Sequence, residues 1–381
     1  MSRMLAPLTV AATLLAGTAM ADVPNVVADI APVHSLVARV MQGAGAPDLI
    51  LRPGASPHEY SLRPSEAASL QEADIVIWMG ADLAPWLEDA VETLAPDARH
   101  LTLLEAEGTK LLTFREDALF EHHDHGDDHH DDHDDHDDHD DHDDHDDHDD
   151  HDDHDDHDHE DEHAHGDNHD HEDEHAHDHG DDHEHEGEHG HDDHGHGDHE
   201  GHAHDDHGHA HGAHDAHAWL SPDNAATWLN LIAAELSAAD PDNAGTYFAN
   251  AAAARQDLQT LTAEVNATLE PVRGRNFISF HDAYQYFESD FDFPAAGAIS
   301  LSDATTPSPA RIAEIQGRVR SEGITCVLAE PQFDPGLVAT VMEGTEANTA
   351  VIDPLGVDLE PGPELYPQMI RNIATTLAAC L

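Results

Sequence analysis

Among the side chains in this sequence that can do chemistry, imidazoles are present in unusual number. Forty of the 381 residues are His. Near neutral pH imidazole offers proton exchange and ligation of borderline metal ions such as Zn, Cu and Ni. Thirty-five of the forty lie within residues 121–216, together with 44 of the 82 Asp and Glu and no Lys or Arg. From His130 to His157 ten His recur at every third position in an unbroken His-Asp-Asp repeat, and the segment at His157–His165 is repeated letter for letter at His169–His177. Neutral imidazoles beside carboxylates predict many metal sites of similar, modest affinity on this tract, with capacity falling in mild acid. A solvated acidic spacer is the competing reading. Three H-E-x-x-H matches (His159–His163, His171–His175 and His185–His189) lack the apolar helix face that a zinc protease needs to pack this motif into a core, so they carry no protease reading. With no apolar residue beyond Ala, the tract cannot offset the entropy of ordering and is expected to be disordered.

Five His remain: His34, His58, His100, His217 and His281. His58 lies in Ser56-Pro57-His58-Glu59-Tyr60, His217 in Ala216-His217-Ala218-Trp219-Leu220-Ser221-Pro222, and His281 in Phe280-His281-Asp282-Ala283-Tyr284. Asp353, in Ile352-Asp353-Pro354-Leu355-Gly356, is a carboxylate in a similar setting.

The segments around them alternate between strand-like and helix-like patterns. Before the tract, the expected strands are Val23–Ile30, Asp48–Arg52, Asp74–Met79 and Leu101–Leu104, interleaved with helices at Pro32–Met41, Pro64–Glu72 and Pro85–Leu94. After it come a helix at Pro222–Ala239, with Ser221 as N-cap and Pro at the first position, and one long Ala-rich helix at Asn243–Leu269. Alternation then resumes with strands Asn276–Phe280, Ala295–Ser300, Ile324–Ala329 and Ala350–Ile352. Helices are expected at Pro309–Ser321, Pro335–Gly344 and Glu364 to Ala379. Such alternation predicts an α/β protein with two lobes of mainly parallel sheet joined by a long helix. The expected divisions are 1–21 signal peptide, 22–120 N-terminal lobe, 121–216 His/Asp-rich insertion, 217–240 end of the N-terminal lobe, 241–273 bridging helix and 274–381 C-terminal lobe.

In parallel sheets, ligands bind beyond the carboxyl ends of the strands. His58, His281 and Asp353 fall at or just after such ends, from both lobes, and His217 is where the tract re-enters. Three imidazoles and a carboxylate suit tetrahedral zinc. Singly, each is better read as an ordinary loop or core residue; their shared position, with the tract entering at His217, reverses that. His34, within a helix, and His100, before a strand, are read as structural.

At these residues the sequence resembles the periplasmic zinc-binding component of bacterial zinc ABC importers, the ZnuA type of metal-specific solute-binding protein. The pieces that carry the resemblance are Pro57–Ser65 (PHEYSLRPS), His217–Pro222, Phe280–Tyr284, Ala329-Glu330-Pro331-Gln332-Phe333 and Asp353–Gly356. It implies His58, His217 and His281 as the three His ligands of Zn²⁺, with Asp353 at the fourth position. Pro57 stands where some members carry a carboxylate, so Asp353, Glu59 and water all remain as fourth ligand. The resemblance also implies a rigid bridging helix, a disulfide between Cys326 and Cys380, an inner-membrane ABC permease as partner with a periplasmic zinc chaperone as a further one, and a monomeric carrier.

The remaining composition fits. A basic start at Met1–Met4, an apolar run to Ala19 and Ala19-Met20-Ala21 describe a secretory signal peptide, placing the mature chain in the periplasm. Two Cys in an exported chain either pair, closing a loop worth about 4 kcal/mol, or remain as buried thiols. The formal charge of −68 excludes nucleic acid as a partner, and −24 of it belongs to the 285 residues outside the tract, which have enough apolar content for a core. Function is therefore read as a non-enzymatic zinc carrier whose tract collects metal. The alternatives are a manganese-binding importer component, a periplasmic zinc buffer without a transporter, and a zinc hydrolase with Glu59 or Asp282 as base.

Overall fold

The structure is a computed structural model that describes residues 23–115, 214–300 and 307–381. The expected signal peptide and nearly all of the His/Asp tract lie outside the described residues. Among those residues no helix is long and apolar enough to cross a membrane.

Each lobe is a four-stranded parallel sheet. The N-terminal sheet contains β1 (Val26–Ala28), β2 (Asp48–Leu49), β3 (Ile75–Trp78) and β4 (Arg99–Thr102) in the order β2-β1-β3-β4. The C-terminal sheet contains β5 (Phe277–His281), β6 (Gly297–Ser300), β7 (Cys326–Ala329) and β8 (Asn348–Val351) in the order β6-β5-β7-β8. The two orders are the same topology, so each sheet reverses direction of winding between its two central strands. That is the point where crossovers diverge and a crevice opens. The central strands are buried but for the last residue of β7, as their mainly apolar runs require when helices cover both faces.

The helices are α1 (Ala31–Met41), α2 (Pro64–Gln71), α3 (Pro85–Leu94), α4 (Pro222–Ala239), α5 (Ala244–Leu269), α6 (Gln285–Phe291), α7 (Pro309–Ser321), α8 (Pro335–Met342) and α9 (Leu365–Cys380). Six of these nine carry Pro at the first or second helical position, three of them with a Ser or Asp cap as well, the local signals that made them legible. α6 has neither and was not expected. It is short and ends on Asp292, a non-Gly residue in the left-handed region (φ 47°), where a Gly stop signal is absent. A parallel β5–β6 pair nevertheless requires a crossover there.

α5 is about 39 Å long at 1.5 Å per residue. Tyr247, Ala251, Ala254, Leu258, Leu261, Val265 and Leu269 form its single buried stripe, spaced three and four apart. This stripe packs on α4 and α1 of the N-terminal lobe and α9 of the C-terminal lobe, so one helix spans both. A continuous core runs through the same elements, from Val26 and Ile77 through Trp228 to Met369 and Leu377. Cys326 and Cys380 form a disulfide tying the start of β7 to the end of α9.

One boundary is corrected. The insertion was expected to run to residue 216, but His214 pairs antiparallel with Thr113, and Asp215 and Ala216 are buried. Asp215 N–H donates to the Leu112 carbonyl at 2.8 Å. Backbone pairing with the chain leaving the lobe, which no local pattern encodes, draws these three residues into the N-terminal lobe.

Candidate metal centre

His281 is the last residue of β5, and Glu330 follows the last residue of β7, its neighbour across the winding reversal. The pairing brings them together: His281 Nδ1 lies 2.7 Å from Glu330 Oε1. Both side chains are buried. A carboxylate can only accept, so Nδ1 carries the hydrogen and Nε2 turns its lone pair toward the crevice.

His217 is built the same way on a different scaffold. It precedes a 3-10 turn, Ala218–Leu220, that leads into α4, where Ser221 Oγ accepts from Asn224 N–H at 3.0 Å. Trp219 is buried and its indole N–H donates to the Pro354 carbonyl across the lobes at 2.8 Å. Tyr366 OH donates to the Trp219 carbonyl at 2.9 Å. Behind the ring, Asp215 Oδ1 accepts from His217 Nδ1 at 2.7 Å and from its backbone N–H at 3.0 Å.

His58 is positioned through its backbone. Trp86 indole N–H donates to the Pro57 carbonyl at 2.7 Å, and Tyr60 packs on Trp86 with ring centres 5.2 Å apart. Tyr60 OH donates to Glu66 Oε1 at 2.8 Å and accepts from Arg52 Nε at 2.8 Å, while Glu66 Oε2 accepts from Arg63 N–H at the start of α2. Aromatic and charged contacts thus fix a loop with no regular structure of its own.

The three rings meet at Nε2. His217 Nε2 lies 3.4 Å from His58 Nε2 and 3.4 Å from His281 Nε2. Zinc–nitrogen bonds of about 2.0–2.1 Å at tetrahedral angles set nitrogens about 3.3–3.4 Å apart, so both edges have the length a zinc site needs. On the His217–His281 edge, where both Nδ1 atoms carry the hydrogen, two lone pairs face each other and repel, and a cation between them removes the repulsion. Among the described residues no set of three or more His, Cys, Asp or Glu is already closed on a metal position. What is preformed is two His–His edges sharing His217. The cavity they line, with Ser56, Pro57, Trp219, Glu330, Gln332, Phe333, Pro354 and Leu355, has a volume of ≈ 20 Å³. That is room for one water-sized occupant.

Negative groups surround the rings. Burial pushes the Asp215 carboxyl up to about 7, against the opposing pull of the His217 N–H and the Arg115 charge. It pushes Asp282 up to about 6 and Glu288 up to about 7, both opposed by Arg115. Arg115 Nη2 lies 2.9 Å from Glu288 Oε2, and Nη1 3.7 Å from Asp282 Oδ1. Several buried carboxyls facing one guanidinium leave the neighbourhood attractive to a further cation.

Of the fourth-ligand candidates, Asp353 is occupied otherwise. Its Oδ1 accepts from Leu355 and Gly356 N–H at 3.0 and 2.9 Å and its Oδ2 from Val357 N–H at 2.6 Å, so the carboxylate builds its own turn. Pro354 and Leu355, rather than Asp353, reach the cavity. Glu59 is exposed and outside the cavity lining. His34 bonds the Pro47 carbonyl and His100 the Ala95 carbonyl, both away from the site. Sequence reasoning gave no role to Glu330 or Asp215. Glu330 had a usable signal, since it follows an apolar strand in the way His281 and Asp353 do. Asp215 had none, being one acid among the 44 of the tract.

Residues 26–380 match the family model described as zinc-uptake complex component A, periplasmic. Over 357 residues the chain is 42% identical to the high-affinity zinc uptake system protein ZnuA of Brucella abortus (strain 2308), spanning 94% of this chain and 91% of that protein. Identity to the protein of the same name from Paracoccus denitrificans (strain Pd 1222) is 42% over 364 residues, with 95% and 93% covered. The crystal structure of a 138–173 deletion mutant of ZnuA with zinc bound shares the fold, with a TM-score of 0.61 at 17% identity over 94% of this chain and 98% of that one. From residue 26 to residue 380, this chain belongs to the family of periplasmic A components of zinc-uptake complexes.

Proposed function

We propose that this protein captures Zn²⁺ in the periplasm with the Nε2 atoms of His58, His217 and His281 and delivers it to the inner-membrane permease of an ABC importer. The observation that carries the reading is the pair of 3.4 Å Nε2–Nε2 edges at His217, with carboxylates fixing the Nδ1 tautomer of two of the three rings. The ion closes the third edge by drawing His58 in on its loop. Water takes the fourth position, because the carboxylate of Asp353 is spent on three backbone N–H groups.

Zinc is favoured over manganese because the donors facing the cavity are imidazoles, while Asp215 and the bonded oxygen of Glu330 sit behind them. A hydrolase would need space for a substrate, and ≈ 20 Å³ holds none beyond a water or an ion. Capture and release require little lobe motion, since α5 is packed along its length against both lobes. Movement of His58 and of the His217 turn suffices. The His/Asp tract, which lies between two described segments paired at Thr113 and His214, raises the local metal concentration and feeds the core site. Deleting residues 122–213 is expected to lower zinc uptake under scarcity, and unchanged uptake and stoichiometry would sink the tract's role.

The core site is tested by zinc competition with a chromophoric chelator, holding free zinc low enough that only the tightest site fills. His281→Ala should abolish that site, and its retention at wild-type affinity would overturn the three-His reading. Asp353→Asn, which keeps one accepting oxygen for the turn, should cost less than about fivefold. A loss of a hundredfold would instead make Asp353 the fourth ligand.

A further inference from the structure

His217 shares both Nε2 edges of the site, and the residue that fixes its ring, Asp215, stands where the chain re-enters the N-terminal lobe. What fixes Asp215 comes from the other lobe. Tyr286, in α6 and fully buried, donates its hydroxyl hydrogen to the Asp215 carbonyl at 2.8 Å and accepts from Leu112 N–H at 2.9 Å. Its neighbour Gln285 faces two acceptors, the Thr113 carbonyl and Asp215 Oδ2. Its amide nitrogen therefore turns toward them and donates to both, at 3.1 and 3.2 Å. Each of these two side chains spans the two segments joined by the Thr113–His214 bridge, with one bond to each segment. The acceptors of Asp215 are divided accordingly. Oδ1 takes the His217 ring and backbone hydrogens, Oδ2 takes Gln285, and the carbonyl takes Tyr286. The Arg115 guanidinium, by contrast, lies against Glu288 and Asp282.

We propose that Gln285 is a positioning residue for zinc capture: by donating to Asp215 Oδ2 it holds the carboxylate that keeps the His217 hydrogen on Nδ1 and the Nε2 lone pair on the ion, while Tyr286 anchors the main chain of the same Asp. This rests on the three-His reading above. A carboxylate held through one oxygen alone can turn about its side-chain bonds, and a bond to the second oxygen fixes its plane. A neutral donor suits this task. The amide restrains Asp215 without cancelling its charge, so the His217 ring keeps a charged acceptor behind it and stays a strong ligand. An Arg or Lys in its place would draw on that charge. The restraint also crosses the lobes, since α6 follows β5 of the C-terminal lobe and His217 leads into α4 of the N-terminal lobe. The His217 turn, whose movement releases the ion, is thus held from the opposite lobe.

The experiment uses the full mature chain and zinc competition with a chromophoric chelator, at free zinc low enough that only the tightest site fills. Gln285→Met keeps the length of the side chain and loses the donor. It should weaken zinc binding about fivefold, less than the roughly tenfold or greater loss expected for Asp215→Ala, which removes a direct partner of a ligand. The deciding measurement is Gln285→Met on the Asp215→Ala background. A residue that acts through the Asp215 carboxylate has nothing to hold there, so the second substitution should change affinity by less than about twofold. An equal loss in both backgrounds would mark a merely structural effect and overturn the proposal. Zinc binding within twofold of wild type in Gln285→Met, or in Asp215→Ala, would overturn it as well and leave the three-His site standing. Gln285→Ala replaces the Met variant if that one does not fold, and it is read in the same way. His217→Ala is the separate control: a tight site retained there at wild-type affinity would overturn the three-His reading itself.

Discussion

Replacing Glu330 separates metal binding from folding. Its Oε1 takes the Nδ1 hydrogen of His281 at 2.7 Å, with the His281 side chain 6% exposed and that of Glu330 0%. A charge-assisted bond is about twice as strong as a neutral one. Glu330→Gln keeps an oxygen acceptor at this position and loses the charge, which amounts to about 1 kcal/mol, or roughly fivefold in zinc affinity. Glu330→Ala removes the acceptor altogether. The imidazole is then free to turn and to place its hydrogen on Nε2, where it blocks the metal, so the loss should reach about 10–100-fold. Stability behaves differently. Burying a carboxylate costs several kcal/mol, and its removal offsets the unpaired His281 N–H. The Tm of the metal-free Ala variant should therefore move by only a few degrees. Zinc competition with a chelator, paired with calorimetry of the metal-free proteins, checks both parts. The reasoning fails if Glu330→Ala binds zinc within twofold of wild type, or if Gln weakens binding more than Ala does.

Two further predictions concern the scaffold. The Cys326–Cys380 disulfide closes a loop with a sequence separation of 54, and a Cys326→Ser/Cys380→Ser variant should lose about 4 kcal/mol in the chain-entropy model, a Tm drop of about 8–16 °C in a calorimetric scan. Its zinc affinity should be retained, because neither Cys lines the cavity. Burial pushes the Asp29 carboxyl, bonded to the Ile30 and Met79 N–H groups, up from 3.8 to about 7. The folded state therefore keeps a proton that the unfolded state releases, so this group's contribution to stability is lost as pH rises from about 4 to 7, by about 3–4 kcal/mol. Asp29→Asn should abolish that share, so the metal-free Tm difference between variant and wild type grows in the variant's favour across this range. A difference that is flat with pH refutes the assignment.

The alternation of apolar strands with Pro-started helices was enough to predict two parallel α/β lobes and a long connecting helix, because both signals are local: a strand buried on both faces must be apolar, and Pro at the first turn costs a helix nothing. Element ends were less legible. β2 was expected at Asp48–Arg52 and is Asp48–Leu49, and β4 was expected at Leu101–Leu104 and is Arg99–Thr102. Register against β1 and β3, rather than local pattern, sets where pairing starts and stops.

The candidate site divides in the same way. Residue type and position after a strand marked His58, His281 and Asp353, and its place where the tract re-enters marked His217. Those features are properties of the chain alone. Which atoms face one another was decided by the tertiary structure. Pairing of β5 with β7 sets Glu330 behind His281, and the Thr113–His214 bridge lifts Asp215 out of the repetitive acids to stand behind His217. The turn after Asp353 takes its carboxylate for three backbone N–H groups. The sequence by itself determined the chemistry of the donors and the class of fold, because composition and short-range periodicity encode both. Which donors share a cavity, which nitrogen each ring presents and which carboxylates stay behind the rings depend on contacts between residues up to 159 apart in the chain, and only the folded protein decides them.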